Sequence, residues 1–296
     1  MTNKISGMQT GLITYVDYKR KSVKLSYWIM FIGLVLLCLI AIVPIIWTLF
    51  SGFKEPAEYF SSTPKFLPES FDFGKVVNIF KILRFDRTLP NSLMMFAGTW
   101  FCTVVLGGIA GYTLSQLKPK GGKIVFMVMF WMMLMPNTLS MVPTFMMWTN
   151  FPLIHVSFQN TFVPFWVGGL TDVFSIILFK KFFDSIPNSF IEAAQIDGCS
   201  NIGIFSKIIV PLSAPIISTI TIFTFQGSWN NFLGPFLLLK DGKLATVALK
   251  LYTLQKDYTE PEQMLGAFIM ILPTMLMFSI FSKKILNNNM SAGIKE

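Results

Sequence analysis

Long stretches without a charged side chain constrain the fold of this sequence more than any other feature. No Asp, Glu, Lys or Arg occurs at residues 25–53, and none occurs between Lys123 and Asp172. A helix that crosses a bilayer needs ~20 consecutive, mostly apolar residues, and it satisfies its backbone hydrogen bonds internally. Charged residues form 13% of the chain, whereas a soluble domain has about a quarter. The sequence therefore predicts an all-α, polytopic membrane protein.

Six transmembrane helices account for these stretches. The long run before Asp172 holds the third and fourth spans, which separate at residues 149–160, and the fourth covers about 161–179. Pro136 and Pro143 should kink the third span. Small residues allow close helix approach in lipid, and the second span carries three: Gly107, Gly108 and Gly111. The remaining spans follow the uncharged runs 25–53, 88–117, 208–239 and 263–282.

The loops on the two sides of these spans differ in charge. One set carries 14 Lys and Arg against five acids, and it comprises the N-terminal segment, the 118–123 turn, the 180–210 loop and the C-terminal tail. The other set carries 10 against nine. The positive-inside rule places the first set, and both termini, in the cytoplasm. The first apolar run is too long for a signal peptide, whose apolar core has about 7–15 residues, so we expect an uncleaved helix.

Three parts follow from this organisation. Residues 1–90 hold the cytoplasmic N-terminal segment, the first transmembrane helix and an extracytoplasmic loop. Residues 91–285 form a core of five transmembrane helices, and 286–296 form a cytoplasmic tail. Within the first loop, apolar residues at helical spacing predict a short amphipathic helix. Its apolar positions are Phe73, Val76, Val77, Phe80 and Leu83.

A polar stretch at about residues 185–211 interrupts the apolar sequence. Pro187 suits the first turn of a short helix, Gly198 ends that helix where a left-handed residue is needed, and Pro211 limits the next helix. The pattern predicts a helix–turn–helix between two spans. The small Ala193 and Ala194 would let the first helix lie deep in a cleft of a partner. The alternative, an amphipathic helix on the lipid headgroups, requires neither the glycine nor the proline.

The spacing of six residues in this stretch resembles the EAA loop of binding-protein-dependent ABC importer permeases. These residues are Glu192, Ala193, Ala194, Gly198, Ile208 and Pro211. The resemblance implies that the loop is cytoplasmic, docks into a groove of an ATP-hydrolysing subunit and couples that subunit to the membrane spans. Val210 stands where leucine is usual in that family, and it keeps the aliphatic character.

Other stretches resemble the carbohydrate branch of that family, which includes the smaller membrane subunit of the maltose importer. They are SGFK at 51–54, LPNSL at 89–93, WNNF at 229–232 and AGIKE at 292–296, where Glu296 replaces a common glycine. The resemblance implies a bacterial inner or plasma membrane protein that transports a sugar or oligosaccharide. It also implies a second permease as heterodimer partner, two ATP-binding subunits and an extracytoplasmic solute-binding protein. The chain has no G-x-x-x-x-G-K-[ST] phosphate loop, so we expect no enzyme activity and no bound cofactor, with ATP held by the partners.

Polar groups inside the spans are candidates for the translocation pathway. Gln226 and Asn230 share a face of the fifth span with Phe223 one turn earlier, and amides beside an aromatic ring suit sugar binding. Asn and Gln also join helices in membranes, which is the favoured interpretation, since the larger permease of maltose-type importers is thought to hold the sugar. Asp172 is the lone acid within a span, and both a transport role and a structural role stay open for it.

Other functional classes find less support in the sequence. An ion-coupled secondary transporter needs more ionisable groups in its spans than Asp172, whereas an ABC permease for a non-sugar solute stays an alternative. No catalytic constellation or metal-ligand spacing occurs, since His155 has no cysteine or carboxylate nearby. The net charge of +9 is scattered between apolar spans, which favours contact with membrane lipid over nucleic acid.

Overall fold

The computed structural model describes residues 21–63, 65–255 and 258–292, and helices are the only regular elements in these ranges. The predicted all-α class is confirmed. Residues 1–20 of the predicted N-terminal segment and 293–296 of the predicted tail lie outside the described residues. Residues 286–292 of that tail continue the last helix.

The helices of the first half are α1 (Lys21–Phe53), α2 (Pro56–Tyr59), α3 (Gly74–Ile82), α4 (Phe85–Leu117), α5 (Gly122–Leu134) and α6 (Asn137–Thr149). Those of the second half are α7 (Val163–Leu170), α8 (Val173–Asp184), α9 (Asn188–Ile196), α10 (Asn201–Leu212), α11 (Ala214–Trp229), α12 (Leu233–Leu238), α13 (Val247–Leu254) and α14 (Glu260–Ala292). Helix α4 widens to π-helical geometry at Phe101–Leu106 and Thr113–Leu117, and α10 does so at Phe205–Ile209.

Four helices are long and apolar enough to cross a membrane: α1, α4, α14 and the pair α7–α8 taken as one span. Two further pairs, α5–α6 and α10–α11, raise the number to six if each bent pair is one span. The α10–α11 pair bends by 75°. The α5–α6 pair breaks at Pro136, as predicted, whereas α6 continues through Pro143. Six spans therefore agree with the sequence.

The central bundle consists of α4, α7, α8, α11 and α14. Gly111 of α4 lies so close to α8 that a Cβ atom there would be 2.6 Å from the Cβ of Phe179. This contact confirms the close approach predicted for the glycines of the second span. Trp100 of α4 donates its indole N–H to Thr221 of α11 at 2.8 Å, and Trp229 of α11 donates to the carbonyl of Met270 in α14 at 3.0 Å. These buried bonds fix α11 between its neighbours.

Helix α1 lies outside the bundle and packs along α14. Gly52 near the end of α1 contacts Leu265 near the start of α14, so the two helices run antiparallel. The start of α1 and the end of α14 therefore lie at the same end of the molecule.

The loops at the end where α1 stops form a folded cap. The Asn91 side chain donates to the carbonyls of Lys243 and Ala245 at 2.9 and 3.0 Å. The Asn160 carbonyl oxygen accepts from the backbone of Lys240 at 2.6 Å. These bonds tie the 230–259 connection to the starts of the second and fourth spans.

The helix predicted within the first loop is present as α3, and two of the five predicted apolar positions, Val76 and Leu83, pack into the core. Ile79 and Leu83 are buried against α1 and α14, whereas Phe73, Val77 and Phe80 are exposed. Because α3 has apolar side chains on both faces, the neighbouring helices α1 and α14 determine which face is buried.

Candidate functional site: the 185–211 segment and an intramembrane cleft

The 185–211 segment adopts the predicted helix–turn–helix. Pro187 is extended and directly precedes α9, and Gly198 follows α9 with φ of 77°. The Cys199 N–H donates to the carbonyl of Ala194 at 2.9 Å, and the Gly198 N–H donates to that of Gln195 at 3.0 Å. These paired bonds form a Schellman cap, which requires a left-handed residue at the glycine position. The predicted conformation of Gly198 is confirmed.

Helix α10 begins immediately after this cap. The Ser200 hydroxyl accepts from the N–H of Gly203 at 3.2 Å, as an N-cap residue does. The helix ends at Leu212, one residue beyond Pro211, and the buried Ser213 hydroxyl donates to the carbonyl of Ile209 at 2.6 Å. The direction of α10 is therefore fixed at both ends by bonds within the chain.

One face of the segment packs on the membrane bundle. Ala194 is buried with Ile204, Ile209 and Phe183, and Ile208 is half-buried against the same cluster. The two alanines thus differ, because Ala193 is exposed. A small residue at 194 lets α9 approach its own chain, whereas the sequence suggested that both alanines face a partner.

The opposite face is exposed and mixes one charge with apolar side chains. Glu192 and Pro211 are exposed, and Glu192 forms no ion pair within the described residues. Ile196 is 86% exposed, Ile202 80% and Phe190 51%. Three large exposed apolar side chains beside a charged residue form a surface typical of protein–protein contact.

Hydrogen bonds link the segment to the bundle. The Asp184 carboxylate at the end of α8 accepts from Ser115 and from Lys180, both at 2.7 Å. Gln116 donates to the carbonyl of Phe183 at 2.8 Å. These bonds join the end of α4 to the end of α8, and α9 begins four residues later.

An open cleft of about 590 Å³ lies among the spans. Residues of α4, α7, α8 and α11 line it, together with the break between α7 and α8. Small residues leave room for the cleft, because Gly168, Gly169 and Gly227 contribute no side chain to its walls. A Cβ atom on Gly169 would lie 2.6 Å from the carbonyl oxygen of Thr99.

Asp172 lies at the break in the fourth span, directly before α8. Its carboxylate accepts a hydrogen bond from the Ser175 hydroxyl, and the start of α8 favours the negative charge. Lys180 pairs with Asp184 instead, at 2.7 Å. Asp172 also lines a second cavity of about 640 Å³ beside α5 and α6. The carboxylate thus lies between two cavities, without a basic partner among the described residues.

Five polar side chains join Asp172 in the cleft: Thr99, Thr103, Thr224, Ser228 and Asn231. Thr99 donates to the carbonyl of Met95 at 2.8 Å and Thr103 to that of Gly169 at 3.1 Å, so both hydroxyls are used by the fold. The Asn231 oxygen accepts from the N–H of Gly234 at 3.1 Å. Ser228 is only 8% exposed, and its hydroxyl has no partner among the described residues. Ser228 is therefore a buried hydroxyl at the cleft with free hydrogen-bonding capacity.

The structure brings only two of the four predicted pathway residues into the cleft. Asp172 and Phe223 line it, and the Phe223 ring packs edge-on to Phe174 with centroids 5.8 Å apart. Gln226 and Asn230 are exposed on the outer surface of the same span and make no side-chain hydrogen bond within the described chain. They bridge no pair of helices within this part of the chain.

The sequence interpretation missed five polar residues of the cleft: Thr99, Thr103, Thr224, Ser228 and Asn231. Thr99 and Thr103 are four residues apart, as are Thr224 and Ser228, so each pair lies on one helix face. That spacing could have indicated a polar stripe on α4 and on α11. Only the fold shows that the two stripes face each other.

The model of one protein family matches residues 103–288, and its description is "Binding-protein-dependent transport system inner membrane component". The chain belongs to this family. It is thus a multi-pass protein of the bacterial inner membrane with a transport function, and the match spans the 185–211 segment and all the residues of the cleft except Met95 and Thr99. The family assignment does not favour the ion-coupled alternative.

Two similar proteins cover most of the chain. The arabinooligosaccharides transport system permease protein AraQ of Halalkalibacterium halodurans is 25% identical, over 94% of this chain and 99% of that protein. The diacetylchitobiose uptake system permease protein NgcG of Streptomyces coelicolor is 29% identical, over 85% and 83%.

A crystal structure of a bacterial ABC transporter involved in the import of the acidic polysaccharide alginate contains a chain with the same fold. The TM-score is 0.71 at 21% identity, and the match covers 89% of this chain and 98% of that one. This similarity supports the arrangement of the helices.

Proposed function

We propose that this chain is one of two permease subunits of an ATP-driven, binding-protein-dependent importer for a sugar or oligosaccharide. Its partners would be a second, related permease, two ATP-binding subunits and an extracytoplasmic solute-binding protein. ATP would be bound and hydrolysed by the ATP-binding subunits, and this chain would bind no cofactor. The carbohydrate assignment is supported by the names of the similar proteins, which concern arabinooligosaccharides and diacetylchitobiose.

The 185–211 segment carries the proposal. Its backbone is fixed from within the chain by the Gly198 cap and by buried Ala194, while Glu192, Ile196 and Ile202 face outward. Burial of one large aliphatic side chain contributes about 1.5–3 kcal/mol, whereas an exposed ion pair at Glu192 contributes at most about 1 kcal/mol. Apolar contact with the ATP-binding subunit would therefore dominate docking, and Glu192 would orient it.

The orientation in the membrane follows from the same segment. If it faces the cytoplasm, so do the start of α1 and the end of α14, because all three lie at one end of the molecule. Both termini would then be cytoplasmic, in agreement with the excess of basic residues on that side. Phe223, Gln226 and Asn230 would face the translocation pathway shared with the second permease.

Substitutions of glycine test the coupling role. Gly198→Val places a β-branched residue at positive φ, so α9 and α10 should lose their fixed angle. We expect the permease pair to assemble while transport is lost and ATP hydrolysis becomes independent of the solute-binding protein. Gly198→Asn should retain most of the activity, because Asn adopts this conformation more readily than Val.

Gly121 provides the matched control. It also has positive φ, of 85°, and a Cβ atom there would meet no other atom within 4 Å, but it lies in the turn before α5. Gly121→Val carries the same local strain and should leave coupling intact. Normal transport by Gly198→Val would contradict the coupling role. The carbohydrate assignment would be contradicted if deletion of the gene left the uptake of three sugars unchanged: arabinotriose, diacetylchitobiose and maltotriose.

A further inference from the structure

One hydroxyl at the cleft wall lacks a hydrogen-bond partner within the described residues. Ser228 is buried at this wall with an unpartnered hydroxyl, although another buried serine of α11 is satisfied. That second serine, Ser218, donates to the carbonyl of Ala214 at 2.7 Å. A buried hydroxyl without a partner has lost its hydrogen bonds to water without replacing them, so a ligand that bonds to it restores a hydrogen bond that the fold leaves unmade.

The cleft also carries a negative charge. Asp172 is the only charged residue among those that line it, and no Lys or Arg of the described chain pairs with it. A negative charge inside a span is costly and is retained where it contacts a cavity or a solute. In a site of low dielectric constant, Asp172 repels an anion strongly and tolerates a neutral hydroxyl or an ammonium group.

The shape and chemistry of the walls suit a sugar ring. The Phe223 and Phe174 rings provide an apolar wall, and Asn231 and Asp172 provide hydrogen-bonding groups. A volume of about 590 Å³ lies in the range of small-molecule sites. The amide N–H groups of Asn231 make no hydrogen bond within the described residues, so they can donate to a solute.

We propose that this cleft is a solute subsite on this subunit, which binds a neutral or amine-bearing sugar unit through Asp172, Ser228 and Asn231 and excludes acidic sugars. The inference rests on the proposed transport function and goes beyond it, since it assigns solute contact to this chain and selects solutes by charge. It also distinguishes this chain from a transporter of an acidic polysaccharide that has the same fold.

Binding of labelled sugars to the purified importer complex, without the solute-binding protein, tests the proposal. The probes are arabinotriose and diacetylchitobiose as neutral sugars, chitobiose as the amine and digalacturonate as the acid. The native complex should bind the neutral and amine probes at least about tenfold more tightly than digalacturonate. Asp172→Asn should reduce this ratio to about threefold or less, and Asp172→Glu should retain it.

Ser228 provides an independent measurement. Ser228→Ala should weaken binding of the neutral probes by about two- to tenfold, as expected for one hydrogen bond, whereas Ser218→Ala on the same helix should leave it unchanged. Melting temperatures of both variants show whether the complex stays folded. The native ratio tests the charge selection even if Asp172→Asn fails to assemble.

Several outcomes overturn the subsite. They are equal binding of arabinotriose and digalacturonate by the native complex, an unchanged ratio in Asp172→Asn, equal effects of the two serine variants, or no binding of any probe. The transport function itself is judged separately, by the Gly198 variants, because coupling does not depend on which sugar binds. If the complex binds neutral and acidic sugars equally while the Gly198 variants behave as expected, the subsite is refuted and the transport function is not.

Discussion

Adjacent residues in α9 have opposite environments, although the sequence presents them as equivalent. Ala194 is 5% exposed and lies in the core with Ile204 and Ile209, whereas Ala193 faces outward. A helix rotates by about 100° per residue, so neighbouring positions point to different sides. The sequence shows that both residues are small. Only the packing shows that Ala194 faces the core and Ala193 faces outward.

A pair of leucine substitutions separates these two requirements. Ala194→Leu overpacks the core and should destabilise the permease by about 1–3 kcal/mol. Ala193→Leu should leave the melting temperature of the purified permease pair unchanged and weaken its association with the ATP-binding subunit. The melting curves and the co-purification of that subunit are measured for both variants. Equal melting temperatures would show that Ala194 is not a core residue.

Gly198 was predictable at the residue scale because its cause is local. A glycine after a short helix and before a second one indicates a left-handed cap, and φ of 77° agrees. The place of Asp172 and Ser228 in one cleft was not predictable, because it depends on which helices meet. Asp172 was found as an isolated acid, whereas Ser228 gave no signal of its own.

At the scale of the elements, the spans were predictable from the absence of charge, but their breaks were only partly so. The proline at 136 marks the break between α5 and α6, whereas no proline marks the interruption at Thr171 and Asp172. The length of an apolar run shows whether a segment can cross a bilayer, but it does not show whether two residues within that segment are unwound. The sequence also did not show which side of α3 is buried, because apolar residues lie on both of its sides.

The contact between α4 and α8 yields a prediction about packing. Gly111→Ala puts a Cβ atom 2.6 Å from the Cβ of Phe179, so one helix must shift. We expect a loss of about 1–3 kcal/mol, seen as a lower melting temperature of the permease pair. Gly33→Ala in α1, where the added Cβ would meet no atom within 4 Å, is the control and should not lower it. Equal melting temperatures would mean that the two helices separate without cost.

At the scale of the whole molecule, the helix directions place both described chain ends on the side of the 185–211 segment. The three cysteines report on this arrangement. Cys199 is exposed in the Gly198 cap, whereas Cys38 and Cys102 lie within spans. A membrane-impermeant thiol reagent should therefore reach Cys199 from one side only.

We expect that reagent to label Cys199 in inverted membrane vesicles and not in intact cells. Cys199→Ala is the background control, and Ser62→Cys, at an exposed residue of the opposite loop, should show the reverse pattern. Labelling of Cys199 in intact cells would reverse the proposed topology. Labelling is measured in the absence and presence of the ATP-binding subunit, since docking would shield the site.

Helix α8 connects the 185–211 segment to the cleft. It has 12 residues, so it is about 18 Å long, and it carries Asp172 at one end and the hydrogen-bonded Asp184 at the other. A tilt of about 10°, imposed on the 185–211 segment by a docked partner, would displace Asp172 by about 3 Å. That displacement equals the length of a hydrogen bond, so a small rotation of the 185–211 segment would be sufficient to break a hydrogen bond between Asp172 and a solute in the cleft.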